Sequence, residues 1–347
     1  MPHCIPFFRS LLLIAVTLLL AACAKEQVFQ QEAFVFGTRV ELSVFGPQRP
    51  QAETALAAVL REFDRLHNTY HAWQPSELTA LNEKLARGET AEVTPELAAI
   101  LKDAQQIART GDGLFDPALG RLIALWGFHS DSFIPQLPDR DALQALINAH
   151  PRMSDLTIQG NEVLSSNRAV KIDLGGYLKG YALDRAAALL REKGVNNALI
   201  NIGGNVMAIG SKGDRPWRVG IRHPRESGIL ATLPLYDGEA VGTSGDYQRF
   251  FELDGRRYSH LLDPRTGWPA TDTIALTILI TPRDHAGTLS DAPSKPAFIA
   301  GGGWRDQVRR FGIDHALRMD ANGQIEVTRA LRARLQIPSG IKMTVVD

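Results

Sequence analysis

The order in which helical and strand patterns follow one another most limits what this chain can fold into. Up to about Pro151, apolar residues recur mainly at helical spacing, and from Leu156 onward they alternate with polar residues as in short strands. The predicted helices before this change span 51–67, 76–85, 95–108 and 117–125. Because no stretch rich in proline, glycine and serine separates the two parts, we expect one compact α+β unit with mainly antiparallel sheets and packed helices.

Turn-forming residues join the predicted strands. Strand pairs are predicted around Gly160-Asn161, Asp254-Gly255 and Asn322-Gly323. The alternation around Gly37 predicts either two strands or one bent strand. The stretch "AVKIDL" (169–174) is predicted as a buried strand, and a helix from Tyr177 to Lys193 follows it. Two further helices are predicted at 291–301 and 304–311.

The first residues have the pattern of a bacterial lipoprotein signal. Arg9 precedes an apolar run from Leu11 to Leu20, which is too short for a typical membrane span. "LAAC" resembles a lipobox, in which Cys23 becomes the lipidated first residue. A plain signal peptide that contains a cysteine is the alternative, but Cys23 stands where the cut is expected.

These patterns predict the organisation and location of the protein. The predicted parts are a signal peptide at 1–22, a tether at 23–33, the folded domain at 34–335 and a C-terminal tail at 336–347. A lipid anchor on Cys23 would hold the domain on the bacterial cell envelope, where it would face the periplasm.

Composition excludes several functions. The formal net charge is +0, so the chain has no basic field that would attract nucleic acid. Its two cysteines are Cys4, inside the signal peptide, and Cys23, at the expected cut. The domain that follows therefore has no disulfide, no cysteine nucleophile and no thiolate metal site.

The turn in "KIDLGGYLKGYALD" is the strongest candidate for an anion-binding site. Gly175 and Gly176 permit a close approach of the backbone, and the unpaired amides at the start of the next helix carry the positive end of its dipole. Lys179 adds a full charge one turn into this helix, and Asp173 stands before the turn. The spacing fits neither the phosphate-loop motif nor the dinucleotide motif, and glycines that serve only packing remain an alternative.

Three other polar residues allow a structural interpretation as well as a chemical one. Asp116 and Asp291 each precede a predicted helix, so each is an N-cap by default. A lone carboxylate such as Asp291 indicates a metal only weakly, and the metal would be a hard cation such as Mg²⁺, held by few protein oxygens and by substrate phosphates. Ser244 lies in "GTSG", which we predict to be a tight turn, without the GxSxG pattern of a nucleophile elbow.

The stretch "YSHLLDPRTG" concentrates polar groups where a strand must turn. His260 has the ordinary pKa of a general base that works near neutral pH. Asp263 and Arg265 are predicted to fix the turn. A hydrogen-bonded histidine at a strand end, without a chemical role, is the structural alternative for His260.

Taken in order, these stretches resemble the ApbE family of FAD:protein FMN transferases. The resemblance runs from about Phe36 to Gly302 and rests on eight ordered segments: "FGTRVELSVFG", "FDRLHNTY", "DGLFDPALGRLIALWGF", "KIDLGGYLKGYALD", "INIGGNV", "GTSGDY", "YSHLLDPRTG" and "SDAPSKPAFIAGG". It implies a T-fold-related α+β domain that binds FAD and Mg²⁺. It also implies transfer of FMN from FAD to a threonine or serine of an acceptor protein, such as a respiratory or electron-transport subunit, with release of AMP.

The resemblance further implies a set of site residues. Contacts to FAD would come from Phe36, Tyr70, Leu114, Phe115, Asp116, Asp173, Lys179 and Leu262. The Gly176 carbonyl and the Asp291 carboxylate would bind the metal. His260 lies in the segment that approaches the flavin phosphates in the family, and it is the candidate catalytic base for the attacking hydroxyl.

Two positions depart from the family pattern. Phe36 stands where the family usually has methionine, an exchange that preserves a bulky apolar contact. Lys295 stands four residues after Asp291, where the family usually has threonine, and a protonated lysine cannot ligate a metal. Three consequences are open: a more loosely held metal, an ammonium that takes over part of its charge, or an activity that is altered or lost.

The sequence leaves other functions open. An FAD pyrophosphatase would use the same site, with water in place of the protein hydroxyl, to give FMN and AMP. A non-catalytic flavin-binding lipoprotein would retain FAD without releasing AMP, and Lys295 is the feature that favours it. A structural envelope lipoprotein fits poorly with the many polar turns.

Overall fold

The computed structural model describes residues 28–130, 132 and 134–347. The signal peptide predicted at 1–22 and the lipidation predicted at Cys23 lie outside the described residues. No helix within the described part of the chain is both long and apolar enough to cross a membrane.

Helices account for most of the described chain before Pro151, and strands outnumber helices after Leu156, as the sequence predicts. The helices are α1 (Arg49–Thr69), α2 (Glu77–Arg87), α3 (Pro95–Thr110), α4 (Gly120–Leu125), α5 (Arg140–Ala149), α6 (Leu178–Glu192), α7 (Ala286–Asp291), α8 (Ser294–Ile299), α9 (Trp304–Arg310) and α10 (Arg329–Arg334). The strands are β1 (Val28–Val35), β2 (Thr38–Phe45), β3 (Ala91–Glu92), β4 (Leu156–Gln159), β5 (Glu162–Ser165), β6 (Ala198–Ile202), β7 (Asn205–Ile209), β8 (Trp217–Arg222), β9 (Ile229–Leu235), β10 (Ala240–Gly245), β11 (Phe250–Leu253), β12 (Arg256–Ser259), β13 (Thr273–Ile280), β14 (His315–Asp320), β15 (Ile325–Thr328) and β16 (Thr344–Val346).

A 9-stranded sheet organises the fold, with the strand order β1-β2-β6-β7-β10-β13-β14-β15-β16. Its neighbouring strands are antiparallel, except that β16 pairs with β15 in parallel. Three smaller sheets, β8-β9, β11-β12 and β3-β5-β4, pack around it. The predicted α+β class with mainly antiparallel sheets is therefore confirmed.

Helices cover one face of the large sheet. Val59, Phe63 and Leu66 recur at helical spacing along α1, are fully buried, and belong to the main apolar core. Leu183 of α6 and Phe298 of α8 belong to the same core. Each such side chain stabilises the fold by roughly 1.5–3 kcal/mol through removal from water. This layer fixes the start of α6 and the corner between α7 and α8 against the sheet.

The hairpin β8-β9 and helix α10 cover part of the opposite face. Trp217, Leu233 and Leu331 share a second apolar core with Val206 of β7 and Leu317 of β14. This packing holds β8 beside β10, where both strands border the cleft described below.

Two terminal segments are more ordered than the sequence suggests. Residues 28–33, which the sequence assigns to the tether, form most of β1. They pair with β2, with Val28 opposite Phe45 at one end and Ala33 opposite Val40 at the other. Residues 344–346, within the predicted C-terminal tail, form β16 and extend the sheet at its far edge.

Two predictions in the middle of the chain fail. The stretch 169–174 is not a strand, because its only β-bridge is an isolated one between Lys171 and Leu119. Helix α5 was not predicted, although Asp139 caps it by accepting the Ala142 N–H at 2.9 Å.

Candidate active site

A cleft of about 1190 Å³ lies among the β1-β2 turn, the start of α6 and strands β8 and β10. This volume exceeds the roughly 300–1,000 Å³ that is typical of small-molecule sites, which suits a ligand as large as a dinucleotide. Ten of the predicted site residues line it: Phe36, Tyr70, Leu114, Phe115, Asp116, Asp173, Gly176, Lys179, His260 and Leu262. Their contacts to a flavin remain predictions, but the fold brings them together from distant parts of the chain.

The turn before α6 lies on the cleft wall. Asp173 accepts the Gly175 N–H at 2.8 Å, and its partial burial raises the pKa of its carboxyl. A Cβ at Gly176 would lie 2.9 Å from Cε2 of Phe115, so only glycine lets the ring pack against the turn. Lys179 follows as the second residue of α6. The backbone therefore approaches the cleft here with a full positive charge beside it.

The ammonium of Lys179 faces the cleft. No carboxylate among residues 28–130, 132 and 134–347 lies within ion-pair distance of it, although its charge acts on His260 and Asp291. A cation in a cleft wall without a carboxylate partner is suited to bind an anionic ligand.

Asp291 lies behind the same wall and is not the helix start that we predicted. It is the last residue of α7, and its side chain is 1% exposed. Its Oδ2 accepts the Gly180 N–H at 3.0 Å, because α6 and α7 touch closely at Gly180. Burial raises the pKa of the Asp291 carboxyl, but the ammonium groups of Lys295 and Lys179 outweigh it and hold the pKa below its ordinary value.

Lys295 pairs with this buried carboxylate. Its Nζ contacts Oδ1 of Asp291 and lies 2.9 Å from the Asp291 carbonyl oxygen. Desolvation lowers the pKa of Lys295 to about 8, against the attraction of Asp291 that raises it. The Lys295 side chain also lines the cleft, so this ion pair joins the buried carboxylate to the ligand space.

The residues expected to bind Mg²⁺ do not form a ready metal site. Asp291 is already paired with an ammonium, and a Cβ at Gly176 would lie 3.5 Å from Cε of Lys295. In the described ranges, no three residues among histidine, cysteine, aspartate and glutamate cluster at metal-binding distance. The Lys295 ammonium thus occupies one of the predicted ligands, Asp291, and its side chain lies beside the other, Gly176, so the donor set does not fit a divalent cation.

His260 lies just after β12 and presents its imidazole to the cleft. Its Nδ1 is 3.1 Å from the Arg249 carbonyl oxygen. A carbonyl can only accept, so Nδ1 carries the proton and Nε2 is left as the acceptor. Desolvation, together with the nearby charge of Lys179, lowers the pKa of His260 to about 3. The imidazole is therefore neutral at physiological pH, as a base must be.

The turn after His260 is fixed as predicted. Asp263 accepts the backbone N–H of Arg265 at 2.9 Å and pairs with its guanidinium, whose Nη2 lies 2.6 Å from Oδ2. Leu262 is buried beside Trp126, whose indole N–H donates to the Gly267 carbonyl at 2.7 Å. Asp263 and Arg265 therefore have a structural role, and they hold the segment that carries His260.

Phe36 occupies the β1-β2 turn in an unusual backbone conformation. Its φ of 57°, followed by 67° at Gly37, matches the left-handed pair that a two-residue hairpin turn requires. A bulky residue adopts this region at a cost, which marks the position as functional or strained. Its ring packs edge-on against Phe63 and His67, each with centroids 5.9 Å away, at the cleft wall.

Tyr70 and Asp116 line the cleft, but their polar groups are hydrogen-bonded to other residues of the protein. Tyr70 is 1% exposed and donates its hydroxyl to Glu96 at 2.9 Å. Asp116 accepts the N–H groups of Ala118 and Met153, and burial raises the pKa of its carboxyl to about 6. It does not cap α4, whose N-cap is Leu119. Both residues thus stabilise the part of the cleft wall to which Leu114 and Phe115 also belong.

Strands β8 and β10 supply a wall that the sequence did not indicate. Gly220 and Arg222 of β8 and Thr243 of β10 line the cleft. Ser244 lies within β10, so the predicted tight turn is wrong. Its hydroxyl is 2.6 Å from Ser294 Oγ, which in turn donates to the Asp291 carbonyl. Ser244 is thus a support for Asp291 rather than a free nucleophile.

Comparisons with known proteins agree with this architecture. The model of the ApbE family matches residues 36–314. An FAD:protein FMN transferase of Rhodobacter capsulatus is 40% identical over 350 residues, which cover 98% of this chain and 66% of that protein. The chain thus spans slightly under two thirds of the length of that relative. An FAD:protein FMN transferase of Treponema pallidum is 31% identical over 317 residues, 85% of this chain and 86% of that protein.

Solved structures show the same fold. The crystal structure of the ApbE protein of Thermotoga maritima matches with a TM-score of 0.82 and 33% identity, and covers 89% of this chain and 100% of that one. The flavin transferase ApbE of Vibrio cholerae matches with a TM-score of 0.78 over 89% of this chain and 100% of that one, at 23% identity. The second comparison bears on the fold alone.

Proposed function

Because the chain belongs to the ApbE family, we propose that it transfers FMN from FAD to a threonine or serine side chain of an acceptor protein and releases AMP. The curated relatives with this activity support the proposal. The observation that carries it is the cleft wall on which Lys179, Lys295 and a neutral His260 lie together. Such a wall offers positive charge for phosphates and a base for a hydroxyl.

In the proposed reaction the acceptor hydroxyl attacks the FMN-side phosphorus of FAD. A bond forms between the acceptor oxygen and this phosphorus, and the bond between this phosphorus and the bridging oxygen breaks. The bridging oxygen leaves with its electron pair on AMP. The proton of the hydroxyl passes to Nε2 of His260, which is free to accept because Nδ1 bonds the Arg249 carbonyl.

Electrostatic stabilisation provides most of the acceleration in such a displacement. Negative charge grows on the phosphoryl oxygens and on the departing AMP. Lys179 has no carboxylate partner within the described ranges and lies one residue into α6, where the helix dipole adds to its charge. The start of α6 is part of the folded structure, so its dipole is oriented before the reaction and little reorganisation is needed as negative charge develops.

Mg²⁺ was expected from the resemblance, at Gly176 and Asp291. The pairing of Asp291 with Lys295 argues against a divalent cation at that position, and no step is assigned to one. Lys295 was also the feature that favoured a non-catalytic flavin binder. His260 weighs against that alternative, because a flavin binder has no need of a neutral imidazole with a free acceptor nitrogen in the cleft wall.

We place the protein on the bacterial cell envelope, lipid-anchored through Cys23 and facing the periplasm, with a respiratory or electron-transport subunit as the acceptor. The lipobox-like "LAAC" supports the anchor. Metabolic labelling with a radioactive fatty acid tests it, since the label should enter the wild-type protein and be lost in Cys23→Ala.

The proposed activity is tested by incubating the full chain, purified in detergent, with FAD and an acceptor domain that another family member flavinylates. We expect AMP in the supernatant and a gain on the acceptor of the mass of FMN less one water. AMP and free FMN without labelled acceptor would indicate a pyrophosphatase instead. Bound FAD without AMP would indicate a flavin-binding protein.

A further inference from the structure

A lysine ammonium lies where the family resemblance puts a metal. Lys295 Nζ contacts Oδ1 of Asp291 and lies 2.9 Å from the carbonyl oxygen of the same residue. The other carboxylate oxygen, Oδ2, accepts the Gly180 N–H at 3.0 Å. Both carboxylate oxygens therefore have a donor, and a divalent cation would have to displace Lys295 to reach them.

The corner between α7 and α8 holds this pair in place. Asp291 ends α7, and Lys295 is the second residue of α8. Ser294, between them, donates its hydroxyl to the Asp291 carbonyl at 2.6 Å, and Ser244 of β10 bonds Ser294. The two charged side chains are 11% and 1% exposed, so solvent screens their interaction little. The ammonium is a fixed part of the wall.

The same ammonium has a donor left for a ligand. A protonated lysine has three N–H groups, and the two oxygens of Asp291 accept two of them. Lys295 lines the cleft with Gly176, Lys179 and His260. Its charge acts on His260 from there, which places it near the group that takes the proton.

We propose that Lys295 supplies from within the chain the positive charge that the resemblance assigns to Mg²⁺, so that FMN transfer by this protein needs no divalent cation. The inference rests on the proposed function. As the acceptor oxygen bonds the FMN-side phosphorus and the bridging oxygen departs with AMP, negative charge grows on the phosphoryl oxygens. The free N–H of Lys295 donates to these oxygens, and Asp291 holds the ammonium in position.

The test compares metal dependence in matched variants of the full chain. AMP release and FMN transfer to the acceptor domain are measured in EDTA and in Mg²⁺ for the wild type, Lys295→Thr and Lys295→Met. Lys102→Thr, an exposed lysine on α3, is the control. A second readout, independent of turnover, is the binding of Mn²⁺ to each protein with FAD present, followed by electron paramagnetic resonance.

We expect the wild type and Lys102→Thr to transfer FMN at equal rates in EDTA and in Mg²⁺ and to bind no Mn²⁺. Lys295→Met should lose roughly 100-fold in rate in both buffers, because one donor to the developing charge is gone. Lys295→Thr frees the Asp291 carboxylate and should bind Mn²⁺, with a low rate in EDTA that Mg²⁺ restores.

Two results would overturn the inference, and they differ from a failure of the proposed function. Wild-type transfer that stops in EDTA, together with Mn²⁺ bound by the wild type, would show that the metal displaces Lys295. Equal rates in wild type and Lys295→Met would show that the ammonium serves only to neutralise Asp291. No transfer by any variant in any buffer would refute the proposed function itself, and the inference with it.

Discussion

Nδ1 of His260 lies 3.1 Å from the carbonyl oxygen of Arg249, so the imidazole is held with Nε2 as its acceptor. The two residues lie on either side of the β11-β12 hairpin, and the turn at Asp254-Gly255 brings them together. The hydrogen bond selects the tautomer, and burial of the ring, helped by the charge of Lys179, lowers the pKa of His260 and keeps the ring neutral. The orientation and the protonation state required of a base thus both follow from how this hairpin is placed.

His260→Gln should abolish FMN transfer and leave FAD binding nearly intact. The amide keeps much of the size of the ring but cannot take a proton, so we expect a loss of roughly 10²–10⁴-fold in rate. Transfer by single turnover and FAD affinity by fluorescence quenching measure the two effects separately. Loss of FAD binding in the variant would instead identify His260 as a structural residue.

The same histidine should make folding stability depend on pH. In the folded protein burial lowers the pKa of His260 to about 3, whereas in the unfolded chain it titrates near 6.5. Below about pH 6.5 the unfolded state gains a proton that the folded state does not, so stability falls as the pH falls. Between pH 7 and pH 5 the titration of this residue should lower the free energy of unfolding by up to about 2 kcal/mol.

Urea unfolding at pH 7 and at pH 5 measures this effect in the wild type and in His260→Gln. The variant lacks the titrating group and should lose less stability over this interval than the wild type. An equal loss in both proteins would mean that His260 is protonated as readily in the folded as in the unfolded state.

Local chemistry could be predicted from the sequence where neighbours in the chain make the site. The turn at Gly175-Gly176, with Lys179 behind it, and the turn that Asp263 and Arg265 fix depend on residues within a few positions of each other. Such features follow from backbone preferences and short-range hydrogen bonds. The turn at Gly175-Gly176 forms as predicted even though the stretch before the glycines is not a strand.

Contacts between distant segments could not be predicted in this way. The glycines of "GTSG" predict a turn at Ser244, but β13 pairs with this stretch from Gly242 to Gly245 and imposes a strand. A Cβ at Gly242 would lie 2.1 Å from the Ser290 carbonyl, so the glycine serves helix packing rather than a turn. The wall formed by β8 depends likewise on packing against the sheet and has no motif of its own.

The position of Asp291 shows that the ends of short helices could not be predicted from the sequence either. Its spacing to Lys295 is that of an ion pair on one helix, and the carboxylate before Ala292-Pro293 suggested a helix start. The structure instead ends α7 at Asp291 and begins α8 at Ser294. Asp291 and Lys295 still form an ion pair, because the corner between α7 and α8 keeps their side chains adjacent. The sequence alone does not indicate this corner.

Gly180→Ala should destabilise the fold through the contact of α6 with α7. An added Cβ would lie 2.6 Å from the Gly287 carbonyl oxygen and 2.7 Å from the Cα of Thr288. Both are backbone atoms, so the clash can be relieved only if α7 shifts away from α6. We expect a loss of about 1–3 kcal/mol in the free energy of unfolding, despite the better helix propensity of alanine. Thermal and urea unfolding measure it.

Gly302→Ala is the matched control for this substitution, since nothing lies within 4 Å of a Cβ at that position. It should leave stability close to that of the wild type. Equal stability of Gly180→Ala and Gly302→Ala would mean that α7 can move away from α6 without loss, and that the position of Asp291 does not depend on this contact.

Lys179→Met should slow FMN transfer in a way that separates its charge from any role in folding. Lys179 lies in the first turn of α6, and no carboxylate within the described ranges pairs with it, so its removal leaves no unpaired buried anion. We expect a rate loss of roughly 10²–10³-fold, weaker FAD binding and an unchanged unfolding midpoint. Lys193→Met, at the exposed end of the same helix, is the control and should match the wild type.

A spectroscopic readout distinguishes loss of the Lys179 charge from a disturbed wall. The charge of Lys179 is one of the causes that lower the pKa of His260, so the variant should show a higher pKa for that imidazole. Titration of the histidine resonances by NMR in wild type and variant measures the shift. If the rate falls while the pKa of His260 stays the same, Lys179 lies too far from the reacting groups to act on them through its charge.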